Sequence, residues 1–104
     1  MMNIRLLIFL TSIKETDRRE IVMKTFESTF RPVIGDIIED SGFDPRFHNG
    51  YEVVKVTVHY ERNECYVSLL PLAIEKEEIS LNDYLDKLVA NGWQIVSKED
   101  LLIH

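Results

Sequence analysis

"YEVVKVTVHYERNECYVSLLP", residues 51–71, is two apolar-polar alternations separated by a short polar run. Such alternation predicts half-buried strands, and "ERNE" at 61–64 predicts a four-residue hairpin loop between them. In that register Tyr60 faces Cys65, Val58 faces Val67 and Val56 faces Leu69. Residues directly opposed share a face, so Val56, Val58, Tyr60, Cys65, Val67 and Leu69 form an inner row. Lys55, Thr57, His59, Tyr66 and Ser68 form an outer one. A slip of one residue would mix the two rows. Burial of each large apolar side chain is worth about 1.5–3 kcal/mol, so the face is strongly selected.

Working outward, "NIRLLIFLTS" at 3–12 is apolar on both alternations, with Ile4, Leu6, Ile8 and Leu10 on one side and Leu7 and Phe9 on the other. This predicts a central strand covered on both faces. Residues 13–27 admit two readings. "SIKE" fits a capping box that would open a helix, yet Asp17 and Lys24 would interrupt its apolar stripe. A hairpin turning near "KETD" fits better, with Ile21 and Met23 on one face of the returning strand and Val22 and Phe26 on the other. In "RPVIGDIIEDSG", 31–42, Pro32 fixes its φ and lacks a donor, and Gly35 can take a positive φ. A corner is predicted there, with Asp36 accepting backbone N–H groups of the turn. Further on, "SLND" at 80–83 supplies an N-cap, Leu81, Tyr84, Leu85 and Leu88 follow at helical spacing, and "NG" at 91–92 supplies a left-handed stop.

The sum is an α+β fold in one domain, 1–104. It is a small five- to six-stranded antiparallel sheet or partly open barrel, with strands near 3–12, 19–27, 33–39, 51–60, 65–70 and 93–97 and one C-terminal helix near 81–90. Its 45% hydrophobic and 29% charged residues are a globular balance that argues against disorder.

Charge and cysteine content narrow the function. Twelve Lys plus Arg against eighteen Asp plus Glu leave -6, which argues against non-specific nucleic-acid or anionic-membrane binding. The single cysteine, Cys65, rules out an intramolecular disulfide or a thiolate metal cluster and suits a reducing compartment. "LLIFL" is shorter than a signal h-region, and no run approaches a bilayer span. A cytoplasmic chain without membrane association is expected.

The segment that begins "GDII", turns, and continues in "YEVVKV" resembles the small SH3-like β-barrels over residues 32–70. That resemblance implies a binding scaffold, a class that hosts peptide, protein and nucleic-acid binders. The aromatic groove motifs of signalling SH3 domains are absent, which argues against proline-rich recognition. "LDKLVANGWQIVS" resembles the helix, Gly-Trp and strand ending of some small bacterial proteins of unassigned activity, a likeness of topology.

Catalytic and cofactor patterns are largely missing. Cys65 falls on the inner row and His59 on the outer, so thiol and base do not meet. His48, His59 and His104 are far apart in sequence, the acidic residues lack calcium-loop spacing, and the four glycines are isolated. No catalytic residue, metal ligand or cofactor is assigned. Two surfaces stand out. The loop "GFDPRFHNGY", 42–51, offers Arg46, Phe47, His48 and Tyr51, although Phe43 and Phe47 could instead plug the barrel end. The outer hairpin row offers His59 and Tyr66, with Arg62 in the turn. The expected function is a non-catalytic protein-interaction module, acting on a protein partner or on itself. The alternatives are a nucleic-acid-binding small barrel that gathers Arg31, Arg46, Lys55 and Arg62, and a small enzyme using His48 or His59.

Overall fold

The computed structural model describes residues 1–12, 18–43, 50–74 and 80–99. Seven strands and one helix follow in the order β1 (Met2–Ser12), β2 (Arg19–Ser28), β3 (Ile37–Ile38), β4 (Tyr51–His59), β5 (Glu64–Leu69), β6 (Leu72–Ile74), α1 (Leu81–Ala90) and β7 (Gln94–Val96). The sheet runs β3-β4-β5-β1-β2-β7, with β6 also on β1, and it curls into a half-barrel. The α+β class is as expected.

β1 occupies the centre because both its alternations are apolar. It pairs antiparallel with β2 from Met2 opposite Ser28 to Thr11 opposite Arg19. Residues 19–28 are therefore strand and not helix, while the turn near "KETD" lies outside the described residues. On its other side β1 pairs parallel with β5, then with β6. The sheet is thus mixed, where an all-antiparallel one was expected, and β6 is a strand the sequence reading did not place. The break between β5 and β6 has a local cause. The Leu70 N–H bonds the Glu52 carbonyl at 2.8 Å, turning towards β4, and Pro71 has no donor to offer.

The hairpin keeps its faces but not its register. Val58 faces Cys65, Val56 faces Val67 and His59 faces Glu64, a shift of two residues from the expected pairing. The loop is Tyr60–Asn63: a 3-10 turn over Tyr60–Arg62, closed by Asn63 in the left-handed region at φ 54. Asparagine is among the residues that tolerate that conformation. A shift of two preserves the alternation, so Val56, Val58, Cys65, Val67 and Leu69 stay on one side, with Cys65, Val67 and Leu69 buried, Val56 half-buried and Val58 exposed, while Tyr60 leaves the row for the turn, where it is 81% exposed. A bulge between Val53 and Lys55 then reverses the alternation in β4, which buries Val53 and Tyr51 and turns Val54 outward.

The corner before β3 is built as read, although the strand itself is only Ile37–Ile38. Asp36 N–H bonds the Val33 carbonyl, and the Asp36 carboxylate accepts the Val33 N–H, both at 3.0 Å. Gly35 between them has φ +99. Thus residues 33–36 form the turn, which itself bonds Val53 of β4 through the Gly35 N–H and the Asp36 carbonyl, and the β3–β4 pairs follow at Ile37 and Ile38.

α1 runs over Leu81–Ala90, with the Ser80 hydroxyl accepting the Asp83 N–H at 3.1 Å. It ends in a Schellman motif: the Trp93 N–H reaches the Leu88 carbonyl and the Gly92 N–H the Val89 carbonyl, with Gly92 at φ +96. Leu81, Tyr84, Leu85, Leu88 and Trp93 pack with Ile4, Leu6, Ile8, Leu10, Val22, Cys65, Val67 and Leu69 into the main core. The helix therefore covers one face of the sheet. Leu7, Ile21, Met23 and Tyr66, with Phe9 and Val96 against them, form a second cluster on the other face.

Candidate functional site

The second face is where the outer hairpin row lies, and the parallel pairing extends it on to β1. Arg5 stands beside Tyr66 and Leu7 beside Ser68, while Tyr66 faces Thr57, Ser68 faces Lys55 and Glu64 faces His59 across the hairpin. The face is graded. Its β1 start and hairpin turn carry Arg5, Glu64, His59 and Arg62; its opposite end carries Phe9, Ile21 and Val96.

At the charged end Glu64 is 5% exposed, the one buried ionisable residue of the described acidic and basic set. Its Oε2 receives Arg5 Nε at 3.3 Å, and its Oε1 faces Arg62 NH1 at 3.8 Å. Arg5 also donates to Thr25 Oγ1 at 3.4 Å and lies 5.8 Å from the Tyr66 ring centre. The His59 ring meets Tyr66 edge-on, with centres 5.6 Å apart. Burial pushes the Tyr66 phenol above its ordinary pKa, and the Glu64 charge adds to this while Arg5 and Arg62 oppose it. A hollow of about 270 Å³ opens here between Leu7, Phe9, Lys55, Thr57, His59, Tyr66 and Ser68. A larger one, about 770 Å³, continues from Phe9 past Ile21, Ile95 and Val96.

Of the residues singled out from the sequence, His59, Arg62 and Tyr66 come together on this face. Tyr51 does not join them. It is buried in the main core, its phenol oxygen 2.7 Å from that of Tyr84 and its ring 4.6 Å from Phe43, so it is a packing residue and not a surface anchor. Phe43 plugs the same space against Trp93. Arg46, Phe47 and His48 lie outside the described residues. Cys65 is fully buried on the helix side, and burial pushes its thiol pKa up against the opposing charge of Arg31. Among the described residues no group of three or more His, Cys, Asp or Glu side chains could hold a metal ion, and no helix is long and apolar enough to cross a membrane.

Arg5 and Glu64 were missed by the sequence reading. Arg5 sits in an apolar run, where an isolated charge reads as a strand-end residue, and Glu64 was assigned to the loop. The signal was there in retrospect, since an arginine in a run with Ile4, Leu6, Leu7, Ile8, Phe9 and Leu10 must meet a partner if its strand is central. A second polar cluster, also missed, joins distant elements on the helix side. The Asp40 carboxylate accepts Lys24 Nζ at 2.6 Å, Trp93 Nε1 at 2.9 Å and the Gly42 N–H at 2.8 Å. Lys24 Nζ also donates to the Asn91 carbonyl at 2.9 Å, at the end of α1.

Scans against protein-family models, curated proteins and solved structures find no match to this chain.

Proposed function

We propose that the chain is a non-catalytic protein-interaction module that engages a protein partner through the outer edge of the β4–β5 hairpin. The observation that carries this reading is the unclosed edge of β4. β3 pairs with β4 only at Tyr51 and Glu52, the turn adds bonds at Val53, and from Val54 to His59 no strand among the described residues flanks the outer side. A bare edge offers N–H and C=O groups to an incoming strand. Along it Val54 and Val58 are 38% and 37% exposed, and Lys55 and Thr57 are exposed between them, so an added strand would gain apolar contact as well as hydrogen bonds. Self-association through the same edge is the homotypic form of this activity. The resemblance of residues 32–70 to the SH3-like barrels supports a binding scaffold, and a fully buried lone thiol fits a cytoplasmic setting.

The test is a photo-crosslinking residue placed at Thr57 and, as a control, at Asn82 on the exposed side of α1. A discrete adduct at 57, absent at 82 and lost when Val54 and Val58 are both replaced by lysine, is expected. A protein that sediments as a monomer and crosslinks at neither position overturns the reading.

A further inference from the structure

The bare stretch of β4 carries exposed apolar side chains at both of its ends. At the hairpin end Tyr60 is 81% exposed. At the other end the corner that bonds Val53 leaves Val33 and Ile34 exposed, Ile34 at 67%. Val54 and Val58 are exposed between these ends. A strand laid antiparallel along the edge reaches from one end to the other. A second copy of β4 is the occupant whose own ends match, because it carries its Tyr60 to the corner and its corner to Tyr60.

We propose that two copies of this chain pair antiparallel through their β4 edges, with Thr57 opposite Thr57 on the two-fold axis. This rests on the strand-edge reading above and names its occupant. Three registers compete. Side chains that share a face stay together only when the axis passes through a residue, since a half-step would set Lys55 against Val58. An axis at Val56 sets His59 of the second copy opposite Val53, whose N–H and carbonyl are already taken by Asp36 and Gly35. An axis at Val58 pairs only residues 57–59 before the turn begins at Tyr60. The axis at Thr57 pairs residues 55–59 of each copy and stops short of Val53. Val56 then lies opposite Val58 twice on the inner row, where one is half-buried and the other exposed, so both gain apolar cover. Thr57 faces its own counterpart on the outer row. Tyr60 of each copy arrives beside Val54 and the Val33–Ile34 corner of the other, so the exposed ends of the edge cover one another.

Measurements on the purified chain test this. Sedimentation equilibrium should show a concentration-dependent doubling of mass. Thr57→Cys, with oxidised glutathione as oxidant, should give a disulfide-linked dimer, because directly opposed Cα atoms lie about 4.5–5.5 Å apart. Lys55→Cys should not, since its counterpart is displaced by four residues along the strand, about 13 Å. The unaltered chain should not either, Cys65 being fully buried. Thr57→Lys and Thr57→Glu, at an exposed position, should each weaken self-association about tenfold by setting like charges face to face, and an equimolar mixture of the two should restore it as a heterodimer. A chain that stays monomeric at every concentration overturns the proposal; a discrete adduct of Thr57 with a different protein would then keep the strand-edge reading while removing the second copy as its occupant. A dimer that both charge variants leave intact, or that Lys55→Cys links as readily as Thr57→Cys, overturns it as well.

Discussion

Lys24 Nζ and Asp40 Oδ1 meet at 2.6 Å, and through them the middle of β2 is fastened to the segment that follows β3. Trp93 Nε1 and the Gly42 N–H converge on the other carboxylate oxygen, so a single side chain ties β2, residues 40–43 and the exit from α1. Burial works to raise the pKa of Asp40, but the hydrogen bonds from Lys24, Trp93 and Gly42 with the Lys24 charge outweigh it, and the carboxyl sits below its ordinary 3.8. The unfolded chain then binds the proton more readily than the folded one. Stability from this group is fully present above about pH 3.8 and is lost as pH falls through the lower folded value. Asp40→Asn should cost about 1–3 kcal/mol at neutral pH and flatten the acid limb of the stability curve, read by urea melts from pH 2 to 7. An unchanged acid limb would sink this account.

Two glycines separate backbone strain from steric clash. A Cβ on Gly35 meets nothing within 4 Å, whereas one on Gly50 would lie 2.3 Å from the Ile38 carbonyl oxygen; both have positive φ, at +99 and +112. Gly35→Ala should cost about 1–2 kcal/mol from conformation alone. Gly50→Ala must also push β3 off β4, and its loss should exceed that of Gly35→Ala by at least about 2 kcal/mol in parallel denaturant melts. Equal losses would mean that the close approach of Gly50 to Ile38 does not hold in solution.

The Tyr51 and Tyr84 phenols share one buried hydrogen bond at 2.7 Å. Each single change to phenylalanine should lower stability by about 1 kcal/mol, and the double change should cost less than the sum. A double-mutant cycle that closes additively would show the two hydroxyls to be energetically independent.

Around Tyr66 the charges have opposite and separable effects. Glu64 helps to raise the phenol and Arg5 to lower it. Glu64→Gln should therefore move the phenolate absorbance transition to lower pH, and Arg5→Met should move it higher. Arg5→Met should also be the more destabilising change, by roughly 2–4 kcal/mol, because it leaves a buried carboxylate without its nearest cation. If both variants shift the titration in one direction, the charges on this face are not arranged as described.

Cys65, fully buried and with its thiol pKa raised, should react with a thiol reagent only at the rate of unfolding. Stopped-flow labelling in increasing urea gives that rate directly. Fast labelling in native buffer would place Cys65 outside the core.

Much of the fold was legible in the sequence because it rests on local pattern. Alternation set the two hairpin rows, double alternation made β1 central, and Ser80 and Gly92 bounded the helix. What escaped depends on departures from pattern. The bulge at Val53 and Lys55 adds one residue to β4 and so exchanges the roles of Val53 and Val54, which no alternation rule anticipates. The two-residue shift of the hairpin follows from Asn63 adopting a left-handed conformation, a choice that "ERNE" read as a plain loop concealed. The parallel strands were missed for a different reason: which strand closes against the far side of β1 is decided by chain crossing, not by any feature of β1 itself. The candidate site suffered accordingly. His59, Tyr66 and Arg62 could be placed on one surface by register, but Glu64 joins them only through the shifted hairpin register and Arg5 only through the β1–β5 pairing.

That pairing also orders events during synthesis. β1 emerges first and can zip with β2 at once, yet its other side waits until residue 64 and beyond have left the ribosome. For that interval the most apolar strand of the chain is a sticky, half-finished template, and its early hairpin is the species from which misassembly would start. Swift hairpin closure followed by a slow, rate-limiting docking of the β4–β5 unit is the kinetic signature this architecture imposes.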